Sequence, residues 1–116
     1  MDVHKLVKSF GYAFYGIWTA MNEQNMRIHI ISAFIVMIAG LLTGLTKMEW
    51  VMIILVITLV IGAEMINTAI ESVVNLASPE IHPLAKQAKD IAAGAVLVFA
   101  LASVIIGLLI FLPKWF

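Results

Sequence analysis

The most constraining feature of this chain is the run WVMIILVITLVIG, Trp50 to Gly62, thirteen residues without a charge that lead directly into Glu64 and Glu71. Two other segments, Ile28–Leu45 and Ile91–Leu112, are comparably apolar. A helix needs roughly 20 apolar residues to cross a bilayer, and all three runs approach that length. In hydrocarbon each backbone N–H and C=O must find its partner within the structure, so continuous runs of this kind read as helices. Composition agrees: 63% of the 116 residues are hydrophobic and 12% are charged, against about 45–50% and 25% in soluble domains. The expected fold is a single all-α integral membrane domain over 1–116, with spans at about 28–45, 50–70 and 91–112.

Several classes are excluded at once. The formal net charge is zero, so no basic field draws the chain to nucleic acid. There is no cysteine, hence no disulfide, thiolate metal site or cysteine nucleophile. The N-terminal MDVHKLVKSFGYAFYG has spaced rather than continuous apolar residues and does not read as a signal peptide. The first connection is short, Thr46 to Glu49, while the second, LASPEIHPLAKQAKD, carries two prolines and most of the loop charge. Ser78-Pro79 should end the second helix, because proline disfavours helical geometry in the residue before it. His82-Pro83 should open the third, with Pro83 at the first helical position.

Before the first span the pattern changes. Val3, Leu6, Val7, Phe10, Phe14, Ile17, Trp18 and Met21 fall within about 60° of one direction at 100° per residue, opposite Lys5, Lys8, Tyr12, Gly16, Thr19 and Glu23. That arrangement predicts an amphipathic helix over about 3–24 lying in the membrane interface. Three spans place the N-terminus and the second loop on one side, with Lys5, Lys8, Arg27, Lys86 and Lys89 against Lys47 and Lys114 on the other. The positive-inside rule makes the richer side cytoplasmic and puts Trp50 and Trp115 at the outer interface.

Glu64, Asn67, Thr68, Glu71 and Asn75 follow the spacing i, i+3, i+4, i+7, i+11, a polar stripe on an otherwise apolar helix. Counting 1.5 Å per residue from Trp50, Glu64 lies about 21 Å deep and Glu71 about 31 Å, at the far edge of a hydrocarbon layer about 30 Å thick. A carboxylate inside a bilayer costs at least about 2.5–3.5 kcal/mol near the centre, so it should face protein, metal or substrate. The plain alternative is that the stripe only joins helices by hydrogen bonds. A carboxylate at headgroup depth beside one at the water's edge suits a reaction joining a soluble reagent to a lipid. Glu64 could take a proton from a lipid hydroxyl. Glu71 could hold a divalent cation such as Mg²⁺, which uses one or two carboxylates plus substrate phosphates. Phosphoryl transfer needs mainly positioning and charge neutralisation, so a small constellation can suffice.

Glu23 is a candidate second metal ligand; its alternative is an i, i+4 pair with Arg27 worth about a few tenths of a kcal/mol. Lys89 and Asp90 could meet a phosphate and orient a metal or ribose, or could simply flank the third span. The small residues Ala92 to Ala95 permit close approach of a helix or a lipid tail. His29 and His82 read as structural, and no nucleotide motif of soluble enzymes is present.

The two segments EMINTAIESVVN and HPLAKQAKDIAAGAV resemble the signature of the prokaryotic diacylglycerol kinase family, small three-span membrane kinases. The match runs through Glu64, Asn67, Thr68, Ala69, Ile70 and Glu71, then Ala88, Lys89, Asp90 and Ala92 to Val96, and reaches back to Tyr12, Gly16, Glu23 and Arg27. The resemblance implies a homotrimer in a bacterial cell membrane, with sites shared between subunits and ATP as co-substrate. It implies Glu64 as proton acceptor, Glu23 and Glu71 as ligands of Mg²⁺, and Asn67, Lys89 and Asp90 as support for phosphates and cation. Tyr12, Lys5 and the segment Glu80-Ile81-His82 would touch the nucleotide, and Ala93 would meet the lipid. NEQNMRIHI, HPLAKQAKD and the ending IIGLLIFLPKWF resemble the Gram-positive branch, which phosphorylates undecaprenol, with diacylglycerol as the alternative acceptor. Asn75 departs from the aspartate common at that position, which leaves hydrogen bonding as its role. Two other classes compete on the residues alone. A proton- or ion-translocating subunit would also bury a glutamate, and a structural adaptor would tolerate Glu64→Gln.

Overall fold

A computed structural model describes residues 1–116 as four helices: α1 (Val3–Ala20), α2 (Gln24–Thr43), α3 (Lys47–Ala77) and α4 (Pro83–Trp115). The last three are long and apolar enough to cross a membrane. α3 and α4 outrun the apolar segments that announce them, while α2 begins four residues before its segment and ends two residues short of it. α3 has 31 residues and α4 has 33, lengths of roughly 46 and 50 Å at 1.5 Å per residue. The longest dimension of the molecule, 52 Å, is therefore set by one helix.

Helix boundaries follow local chemistry. Asp2 caps α1 by accepting from the Lys5 N–H at 3.2 Å. Gly44, at φ 81°, takes the left-handed conformation that turns the chain between α2 and α3. Thr46 and Glu49 then form a reciprocal capping box at the start of α3. Ser78 ends α3, and His82 caps α4 with its Nδ1 accepting from the Leu84 N–H at 3.1 Å while Pro83 opens the helix. Both loop signals in the sequence therefore act where the prolines place them.

One boundary differs from expectation. α1 stops at Ala20 rather than near residue 24, so Glu23 stands at the N-cap of α2 and not on the first helix. The cause is a tight turn over Met21 to Glu23, held by backbone bonds onto Ile17, Trp18, Thr19 and Ala20 and by Arg27 Nε donating to the Met21 carbonyl at 3.0 Å.

α3 is the central element, packed extensively on α4 and more lightly on α2. Its buried face runs Ile53, Val56, Val60, Glu64, Asn67, at spacings of 3 or 4. The polar stripe is thus the continuation of the packing face. Only 11 of 116 residues are buried, too few to hold the fold in water, so the apolar outer faces require lipid or neighbouring chains.

Candidate active site

Two polar groups are buried in the molecule, Glu64 at 3% and Asn67 at 4% exposure. They sit one turn apart on α3, and Asn67 Nδ2 donates to Glu71 Oε1 at 3.3 Å. Asn67 Oδ1, also buried, has no partner. An unpaired buried acceptor costs about 1–3 kcal/mol, so Asn67 Oδ1 is the one buried side-chain polar atom left open to a donor.

Across from α3, His29 Nε2 stands 3.7 Å from Glu64 Oε2. The charges of Glu71 and Glu23 also act on Glu64, so the turn before α2 and the polar stripe of α3 belong to one locality. Glu23 is free for such work. It makes no capping bond, and Arg27, the partner its spacing suggested, is engaged with the Met21 carbonyl. No three His, Asp or Glu side chains of one chain stand at ligand spacing. The oxygen-rich character of Glu71, Glu23 and the unpaired Asn67 amide nevertheless suits a hard cation that keeps waters and completes its shell with phosphate oxygens.

A second polar region lies where α3 ends and α4 begins. Asn75, Ser78, Glu80, His82, Lys86 and Lys89 line a cavity of about 300 Å³. Of the residues expected at the nucleotide, the structure gathers Glu80, His82 and Lys89 here. Asp90 is held by Lys86 Nζ at 2.6 Å on the outer face of α4. That carboxylate raises the Lys86 amine above its ordinary value, so this lysine is fully charged. Lys5 and Tyr12 are exposed on α1, and Ala93 is exposed on α4. Within a single chain these three are not drawn into the two polar regions.

Sequence reasoning missed three contributors: His29, Lys86 and Asn75 as a cavity residue. His29 had a detectable signal. α2 runs antiparallel to α3, with Gly40 against Trp50, and counting back from that contact brings the start of α2 to the depth of Glu64.

The sequence matches the model of the prokaryotic diacylglycerol kinase family over residues 11–111. The chain belongs to this family. It is 51% identical over 114 residues to the undecaprenol kinase of Bacillus subtilis (strain 168), covering 97% of this chain and 93% of that protein. It is 43% identical over 110 residues to a diacylglycerol kinase of Synechocystis, covering 93% of this chain and 63% of the relative. The diacylglycerol kinase of Escherichia coli (strain K12) is 29% identical over 102 residues, covering 87% of this chain and 84% of that protein. Both substrate branches are therefore represented among its relatives.

Proposed function

We propose that this chain is a membrane lipid kinase that transfers the γ-phosphate of ATP to the terminal hydroxyl of undecaprenol. The observation that carries the reading is a buried carboxylate, Glu64, beside an unpaired amide oxygen, in a chain that is 51% identical to an undecaprenol kinase. Diacylglycerol remains the second acceptor to test, because diacylglycerol kinases are also among the relatives.

Glu64 takes the proton of the lipid hydroxyl as that oxygen attacks the γ-phosphorus. Asn67 orients Glu71 and offers its unpaired oxygen to a donor brought in by substrate or cation. Lys89 and His82, with the carboxylate of Glu80, face the polar cavity that suits the nucleotide. Glu71 and Glu23 would hold a divalent cation, Mg²⁺, which when bound neutralises charge on the polyphosphate. Lys5 and Tyr12 on α1 would reach the nucleotide, and Ala93 the lipid. α1 lies in the interface with its apolar arc toward lipid, and the Glu64 end of the bundle faces the cytoplasm. Burial of so few residues in one chain supports a homotrimer whose subunits complete each other's sites.

The test is a competition in mixed micelles with γ-labelled Mg²⁺-ATP and equal undecaprenol and diacylglycerol, wild type beside Glu64→Gln. Label chiefly in undecaprenyl phosphate, absent with the variant, is the expected result. Label chiefly in phosphatidic acid moves the protein to the other branch, and no labelled lipid from folded protein overturns the kinase reading.

A further inference from the structure

A base that accepts a proton in every turnover must also lose it, and Glu64 is almost sealed from water. Its side chain is 4% exposed; that of His29, whose Nε2 is 3.7 Å away, is 20% exposed. In enzymes without bound substrate, catalytic hydrogen bonds are commonly this long and tighten when the substrate binds. The other ionisable groups near Glu64 are the carboxylates of Glu71 on α3 and Glu23 at the start of α2, while Asn67, one turn along, donates to Glu71. The charged groups at the start of α4 are Lys86, Lys89 and Asp90; Lys86 and Asp90 are engaged with each other, and Lys86 and Lys89 line the separate polar cavity. His29 is therefore the one group facing Glu64 that can accept a proton as a neutral nitrogen base. The same imidazole borders an apolar groove of about 320 Å³ between α2, α3 and α4, which sets its ring at the edge between hydrocarbon and carboxylate.

Resting on the kinase reading above, we propose that His29 is the positioning and proton-accepting partner of Glu64. As the lipid oxygen bonds to the γ-phosphorus, the bond from that phosphorus to the bridging oxygen of ADP breaks and the lipid proton passes to Glu64. The proton then moves from the Glu64 carboxyl to His29 Nε2, which restores the carboxylate, and leaves for water from the exposed edge of the ring. One proton is released for each phosphoryl group transferred. With Nδ1 protonated, neutral His29 presents Nε2 as the acceptor this step needs.

Two measurements test the proposal. In the first, kcat, the KM for ATP and the pH profile of kcat are compared for wild type, His29→Gln and His29→Asn. Loss of the partner should lower kcat roughly tenfold or more, leave the KM for ATP unchanged, and change the shape of the pH profile. That change is expected because the proton on Glu64 then has no nitrogen base beside it to pass to. A pH profile identical to wild type overturns the proposal. The second measurement uses folded protein labelled in its three histidines, His4, His29 and His82, titrated by nuclear magnetic resonance with and without Glu64→Gln. A change confined to the His29 resonances is expected, and unaltered His29 titration overturns the pairing even where the His29 variants do not fold. Wild type that labels no lipid removes the kinase reading and this proposal together, a result distinct from an active enzyme with an indifferent His29.

Discussion

The two ends of the helix bundle are built on opposite terms. At the end holding Trp50 and Trp115, side chains from α2, α3 and α4 are tied to one another. Trp115 Nε1 donates to Thr43 Oγ1 at 2.9 Å, Lys114 Nζ meets Glu49 Oε1 at 3.0 Å, and Phe111 packs on Trp115 with ring centroids 5.1 Å apart. The indole of Trp50 fills the space a side chain would need at Gly40. At the end holding Glu64, an amide oxygen is buried unpaired, Glu23 makes no cap, and Glu64 and Glu71 lie on one helix face. The closed end ties the helices together, and the open end leaves donors and acceptors uncommitted. Stability and chemistry are separated along the length of the same three helices.

That division predicts that variants at the two ends fail differently. Glu64→Gln should have the largest effect, lowering kcat by roughly 10²–10⁴-fold while leaving the melting temperature unchanged or raised, since it removes a buried charge. A matching fall in stability would break the comparison. Gly40→Val should do the reverse. A Cβ there would meet the Trp50 ring at 2.7 Å and Leu45 at 3.0 Å, and overpacking of this kind typically costs about 1–3 kcal/mol. The melting temperature should fall, while kcat per folded molecule stays near wild type.

Glu49→Gln should have the smallest effect, and one that depends on pH. The Thr46 N–H, and then Lys114, hold the Glu49 carboxyl below its ordinary value of 4.5. A group whose value is lowered by folding stabilises the fold above its unfolded value, and that contribution disappears as pH falls through the folded one. The variant should therefore melt slightly below wild type at pH 7 and coincide with it in acid, as read by thermal denaturation in detergent.

Much of this was legible in the chain because it rests on local rules. Apolar runs located three spans, Ser78-Pro79 and His82-Pro83 marked a helix end and a helix start, and the 3–4 spacing from Glu64 to Asn75 exposed the polar stripe. What could not be read depends on contacts between elements. Periodicity continued past Ala20 and carried Glu23 onto the first helix, because nothing in the spacing reveals that Arg27 reaches back to the Met21 carbonyl. His29 looked like a lone histidine near a span start until α2 was laid against α3. Lys86 and Asp90 were each visible as charges, but their choice of each other over a ligand is a side-chain rotamer and not a pattern.

α3 and α4 run from the apolar layer into their polar ends without a break. The height of Lys89 above Ile91, like that of Glu71 above Glu64, is therefore graduated in units of about 1.5 Å and 100° per residue. A residue inserted between Ile91 and Val96 would both lift and rotate everything before it. One inserted between Pro79 and His82 would leave the level of both helices unchanged and disturb only the loop side of the polar cavity. The protein acts as a ruler in this respect: the level at which a membrane-bound and a dissolved reactant meet is ruled into two rigid rods.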